Sequence, residues 1–128
     1  MRTVPTPSQG QAGVAGAPRW TFTMLTIPSR VEFLGRLLRS MAELPKRTPF
    51  EVVIVYNTAT EEEPMAVEAR IRAMAPSLPI RVYVNATDPT IGGGRRVQLS
   101  VCRTPLVAFI DGDLTLHGDI LGVIEQTL

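Results

Sequence analysis

The chain has 128 residues, 45% of them hydrophobic and 20% charged, with a formal net charge of +1, which fits one small globular domain or part of a larger one. Lys and Arg are spread along the chain, so no basic stripe indicates nucleic-acid binding. With a single cysteine, no apolar run near the ~20 residues of a membrane span and no secretory signal, we expect a cytoplasmic protein, free or peripheral to a membrane, without an intrachain disulfide or a transmembrane segment.

The N-terminal segment differs in composition from the rest of the chain. Residues 1–19 are rich in Pro and Gly and contain no acidic residue. Such a segment buries too little apolar surface to offset the entropy cost of ordering it. We therefore predict a disordered leader over 1–19 and a folded domain over 20–128.

The first predicted unit is a strand followed by a helix. The apolar run over 20–27 predicts a strand that Pro28 closes. Ser29 and Glu32 match the Ser-x-x-Glu pattern of a capping box. Apolar residues then recur at helical spacing, which predicts a helix over 30–42.

The second predicted unit repeats this order. A continuous β-branched run over 50–56 is typical of a strand covered on both faces. Thr60 and Glu63 match a second capping box, and Pro76 ends the helix that follows. The buried stripe of that helix is predicted to contain Val67, Ile71 and Met74.

The remaining pattern gives a strand over 80–84, a short helix over 94–102, a strand over 106–110 and the start of a helix over 120–128. The buried side of this last helix is predicted to contain Ile120, Ile124 and Leu128. This alternation predicts an α/β fold, a Rossmann-like, mostly parallel sheet with flanking helices. Because the pattern stops after the fourth strand, we expect a truncated domain with an exposed sheet edge prone to self-association.

Four loops follow the predicted strands, at Pro28–Arg30, Asn57–Thr60, residues 85–96 and Asp111–Asp113. In an open α/β sheet, ligands bind outside the carboxyl ends of the strands. If the sheet is parallel, these loops converge on one cleft.

Asp111 and Asp113 lie one residue apart at the end of the fourth strand. Residues i and i+2 of an extended chain project to the same side. Two carboxylates in that position suit Mg²⁺ or Mn²⁺ held jointly with substrate phosphates. The alternative is a polar turn after a core strand, because Asp-Gly is a common turn dipeptide.

The third loop contains Gly92-Gly93-Gly94 followed by Arg95 and Arg96. Flexible backbone N–H groups and guanidinium groups before a helix favour phosphate binding. The alternative is a flexible connector with solvated arginines.

The same segments carry a resemblance to a known family, namely Ile27-Pro28, Phe50 to Val55, Gly94-Arg95-Arg96 and Leu106 to Asp113. From about Trp20 to Leu128 the chain resembles the nucleotide-sugar-binding half of family 2 glycosyltransferases, which have the GT-A fold. Arg95 lies at the distance from the Asp-x-Asp that the family's Ala-Arg-Asn motif has. The resemblance implies transfer of a sugar from a nucleoside diphosphate sugar to an acceptor hydroxyl.

The resemblance also implies roles for particular residues. Asp111 and Asp113 would hold a divalent cation, Mn²⁺ or Mg²⁺, and the ribose-diphosphate of the sugar nucleotide. Arg95 would face the nucleotide, Pro28 would stand in the wall of the base pocket, and Asn57 would stand where the family usually has an acid that recognises the base. The acceptor-binding half with its general base would lie beyond Leu128, so neither acceptor nor catalytic residue is assigned.

Two other classes of protein share features of this sequence. A non-catalytic α/β module that binds nucleotide or a protein partner fits the same pattern, and metal-dependent hydrolysis of a sugar nucleotide would distinguish an enzyme from it. A phosphoacceptor receiver domain fits the length. Its acidic pair should follow the first strand, however, where this chain has Pro28-Ser29-Arg30.

Overall fold

The computed structural model describes residues 18–45 and 48–128. The strands are β1 (Trp20–Thr26), β2 (Phe50–Asn57), β3 (Ile80–Asn85) and β4 (Leu106–Phe109), and the helices are α1 (Leu34–Ala42), α2 (Pro64–Arg72), α3 (Ile91–Val101) and α4 (Ile120–Glu125). Most of the predicted leader lies outside the described residues. At its end, the Arg19 carbonyl accepts a hydrogen bond from the Leu106 N–H at 3.0 Å.

The four strands form one sheet in the order β3-β2-β1-β4, and every pair is parallel. Trp20 pairs with both Phe50 and Leu106, which aligns the first residues of three strands. The predicted fold class is confirmed, and each predicted strand end lies within one residue of the observed one. The carboxyl ends of the strands therefore share one edge, with β4 at the border of the described sheet.

Both faces of the sheet are covered, but unequally. The larger apolar cluster joins Phe22, Met24 and Ile54 of the sheet to α1, α2 and α4. On the opposite face, α3 alone of the described helices packs against a small cluster around Val53 and Tyr83. Strands covered on both faces explain the near-continuous apolar run of β2.

Both predicted capping boxes are wrong. Before α1 the Arg30 N–H donates to the Ile27 carbonyl at 2.9 Å, and a single 3₁₀ turn, Val31–Phe33, precedes the helix without a side-chain cap. Glu32 instead forms an ion pair with Arg70.

At α2 the N-cap is Glu63, whose carboxylate accepts from the Met65 N–H at 3.3 Å. The reason is Pro64, because proline is favoured at the first helical position. Thr60 instead hydrogen-bonds Thr58 at 3.0 Å.

Three helices also end or begin away from the predicted residues. Helix α2 ends at Arg72, four residues before Pro76, and Met74 of its predicted stripe is only partly buried. Helix α3 begins at Ile91, before the three glycines. In α4 the buried residue is Leu121, and Leu128 is 73% exposed. No helix in the described ranges has the length and apolarity to cross a membrane.

Candidate functional site

A cleft of about 350 Å³ opens at the carboxyl edge of the sheet, between the ends of β1, β2 and β4 and the start of α3. Four predicted site residues line it, namely Asn57, Arg95, Asp111 and Asp113. Pro28 does not line it, although its neighbours Ile27 and Arg30 do. The convergence expected for a parallel sheet is therefore observed for all four loops, each of which contributes at least one lining residue.

Both Asp111 and Asp113 have exposed side chains at the mouth of the cleft. The Asp111 carbonyl accepts from the Leu114 N–H at 3.2 Å, which closes a turn after β4. Among the described residues, no three or more His, Cys, Asp or Glu side chains form a cluster able to hold a metal. The donor set is thus two hard oxygen ligands, which fits Mg²⁺ or Mn²⁺ if phosphate and water complete the shell.

The segment that follows the carboxylates is fastened to α1. The Ser40 hydroxyl donates to the Leu37 carbonyl at 2.6 Å and accepts from the buried Leu116 N–H at 2.9 Å. The exposed His117 hydrogen-bonds Thr115 at 2.9 Å and does not line the cleft. These contacts fix the path of the chain just beyond the two carboxylates.

Arg95 is held inside the cleft by two contacts that the sequence did not reveal. One guanidinium nitrogen donates to Gln98 Oε1 at 3.0 Å, and Gln98, which is fully buried, donates to Thr23 Oγ1 at 2.9 Å. The guanidinium carbon also lies 5.2 Å from the ring centroid of Phe109. Arg95 is therefore oriented by a buried amide and an aromatic face, in the cleft that Asp111 and Asp113 also line.

A second arginine also lines the cleft. The Arg30 guanidinium lies 5.1 Å from the ring centroid of Phe33. Phe33 is one of the apolar residues at helical spacing that predict the first helix, but it is 50% exposed. The 3₁₀ turn changes the helical phase, so that Val31 is buried in its place. Sequence periodicity alone did not predict this contact between Arg30 and the Phe33 ring.

The three glycines do not form a flexible loop, so that expectation is wrong. Thr90 is the N-cap of α3, its hydroxyl accepts from the Gly93 N–H at 2.9 Å, and its carbonyl accepts from the Gly94 N–H at 2.8 Å. A Cβ on Gly94 would lie 2.4 Å from a Leu25 methyl. Gly93 and Gly94 therefore allow close packing and do not leave their N–H groups free for phosphate.

Asn57 ends β2 at the back of the cleft and is only 3% exposed. Its side-chain nitrogen donates to the Thr90 carbonyl at 2.8 Å, and its oxygen accepts from Asn85 at 2.9 Å. The residue thus joins the sheet to the start of α3.

No protein-family model matches the chain, and no curated protein matches it significantly. Solved structures of S. aureus TarS do match. TarS 1-349 in complex with UDP is 22% identical, with a TM-score of 0.63 over 84% of this chain and 31% of that one. The UDP-GlcNAc complex is 22% identical, with a TM-score of 0.62 over 84% and 30%, and TarS is 21% identical, with 0.61 over 84% and 19%.

The chain thus spans less than a third of the length of these structures. At such identity the likeness establishes the fold. The resemblance found in the sequence is confirmed at that level, as a four-stranded parallel sheet with flanking helices.

Proposed function

We propose that the cleft binds a nucleoside diphosphate sugar and that the chain is the donor-binding portion of a glycosyltransferase. The observation that carries this proposal is the convergence of Asp111 and Asp113 with Arg95 on one cleft at the carboxyl edge of a parallel sheet. A fold shared with proteins solved with UDP and UDP-GlcNAc supports the same ligand class.

The charges of the cleft suit a diphosphate only in combination with a cation. Arg95 and Arg30 attract phosphate oxygens, whereas two exposed carboxylates repel them. Asp111 and Asp113 would hold a divalent cation, whose charge would offset that repulsion. When bound, it would act as a Lewis acid that neutralises the leaving diphosphate.

Sugar transfer also needs a group that accepts the proton of the acceptor hydroxyl. Asp111 and Asp113 are the carboxylates among the described lining residues, and both are assigned to the cation. No base or acceptor is therefore assigned, and the same observation favours the second candidate, a module that binds nucleotide without turnover. A cytoplasmic location stays a prediction from composition.

The test is calorimetric titration of the full chain with UDP and GDP, with and without Mn²⁺ or Mg²⁺. We expect binding to require metal and Asp113→Ala to weaken it by about tenfold or more, since it removes a charged ligand. Glu61→Ala is the matched control, because Glu61 is an exposed carboxylate that does not line the cleft. Metal-independent binding, or equal effects of the two substitutions, would contradict the proposal.

Turnover is measured separately, as metal-dependent release of nucleoside diphosphate from a sugar nucleotide. Release that depends on Asp113 supports an enzyme. Binding without any release supports the second candidate.

A further inference from the structure

Two buried asparagines lie side by side at the carboxyl ends of neighbouring strands. Asn57 of β2 pairs in register with Asn85 of β3, and their exposed fractions are 3% and 2%. Asn85 Nδ2 donates to Asn57 Oδ1 at 2.9 Å, and Asn57 Nδ2 donates to the Thr90 carbonyl at 2.8 Å. We call Asn57, Asn85 and Thr90 the amide clamp.

The amide clamp also fixes the loop between β3 and α3. Asn85 Nδ2 donates to the Asp88 carbonyl at 2.8 Å, and the Asp88 carboxylate accepts from the Thr90 hydroxyl at 2.9 Å. Gly94 lies directly against the clamp, because a Cβ there would be 2.9 Å from Asn57 Nδ2. The first turn of α3 therefore rests on the Asn57 carboxamide.

These bonds leave Asn57 poorly suited to recognise a base. Its oxygen already accepts from Asn85, its nitrogen already donates to the helix cap, and its side chain is almost fully buried. An aspartate at this position would keep the bond from Asn85 but could not donate to the Thr90 carbonyl. Its charge would instead face that carbonyl oxygen, which is unfavourable in a buried site.

We propose that Asn57 is a positioning residue that fixes the start of α3, and through it Arg95, and that it does not select the base. Arg95 lies five positions after Thr90, so movement of the first helical turn moves its guanidinium group relative to the cleft. Asn57 then contributes nothing to the choice between a purine and a pyrimidine base. This inference rests on the proposed function.

The first test compares UDP with GDP by calorimetry, in the presence of Mn²⁺, on the full chain and on Asn57→Asp. The affinities of the unsubstituted chain for UDP and GDP give the reference ratio. Asn57→Asp should weaken both by about tenfold, the scale of one lost charge-assisted contact from Arg95, and leave their ratio unchanged within about threefold. A ratio that changes by more than about tenfold would show that residue 57 reads the base and would overturn the inference.

The second test distinguishes positioning of Arg95 from a general loss of structure. Pyrophosphate has no base, so its affinity reports the phosphate contacts alone. Asn57→Asp should weaken pyrophosphate binding in the unsubstituted chain but add little in an Arg95→Ala background, since coupled residues are non-additive. Equal losses in both backgrounds would indicate a merely structural role and would overturn the inference.

Should Asn57→Asp fail to fold, Asn85→Ala carries the same expectations, because it removes the donor to Asn57 Oδ1 and leaves Asn57 in place. A change in the ratio of UDP affinity to GDP affinity in that variant would overturn the inference. Absence of binding by UDP, GDP and pyrophosphate to the unsubstituted chain would overturn the proposed function as well. A changed base ratio would overturn this inference alone.

Discussion

Three consecutive glycines at the start of α3 face different surroundings. Alanine substitutions at the three positions should therefore not all change the free energy of unfolding in the same direction. A Cβ on Gly92 would meet only the Thr90 hydroxyl, at 4.0 Å. A Cβ on Gly93 would lie 2.1 Å from the Asp88 carbonyl oxygen, and one on Gly94 would lie 2.4 Å from a Leu25 methyl. Backbone cannot move aside as a side chain can, so Gly93 is the most restricted position.

The magnitudes follow from two opposing effects. Replacing glycine by alanine inside a helix stabilises by about 0.5–1 kcal/mol, and overpacking costs about 1–3 kcal/mol. Gly92→Ala should therefore raise the free energy of unfolding by up to about 1 kcal/mol. Gly94→Ala should lower it by about 0–2.5 kcal/mol. Gly93→Ala should lower it most, because it also displaces the Thr90 cap, which is worth about 1 kcal/mol.

Urea denaturation of the three variants measures these differences, and calorimetry with UDP and Mn²⁺ measures their effect on the cleft. If the glycines served as a flexible phosphate-binding loop, all three variants would weaken UDP binding with little change in stability. Equal stabilities of Gly92→Ala and Gly93→Ala would refute the reasoning from close packing.

The remaining predictions concern charge, pH and the sheet edge. Arg95→Ala should weaken UDP binding by about 1–3 kcal/mol, as expected for a lost charge-assisted bond, whereas the exposed Arg103→Ala should change calorimetric affinity little. Burial, and then the hydrogen bond to Glu62, raises the pKa of Tyr56 to about 12. The unfolded state therefore loses this proton first, and urea-derived stability should fall above pH ~10, with a shallower fall in Tyr56→Phe. Light scattering should show self-association through the edge of β4 that Val107→Lys suppresses; a monomer at all concentrations would contradict this.

The strands were predictable because their signal is local and repeated. The β-branched run of β2 indicates a strand without knowledge of its neighbours, and the parallel pairing then follows from the alternation of elements. The convergence of Asp111 and Asp113 with Arg95 also followed, because parallel strands share a carboxyl edge.

The helix starts were less predictable because several residues compete for each cap. Ser29 and Thr60 match capping patterns, yet the turn ending at Arg30 and the proline at position 64 decide where the helices begin. At α3, Thr90 is the cap, and the glycines that suggested a loop lie within the helix. The need for glycine at these positions arises from close contacts with β1 and with the preceding loop, which helical periodicity does not predict.

The side chains that orient the site could not be found from the sequence, because their partners are distant along the chain. Gln98 reaches Thr23 across 75 residues, and Asn57 reaches Thr90 across 33. Both contacts depend on how α3 sits over particular strands. Sequence patterns within one loop and its helix therefore cannot predict these contacts.

These two contacts explain how α3 is held on the thinly packed face of the sheet. Only a small apolar cluster around Val97 and Val101 anchors the described part of that face, and apolar contacts alone tolerate sliding. Asn57 fixes the start of the helix to β2, and Gln98 fixes its middle to β1. Fully satisfied buried polar groups rigidify and specify one arrangement. Because Arg95 lies between these two fixed points, the helix cannot shift along its axis without breaking one of the two amide contacts. The position of the positive charge in the cleft that the two carboxylates also line is therefore determined by residues that need not touch the ligand themselves.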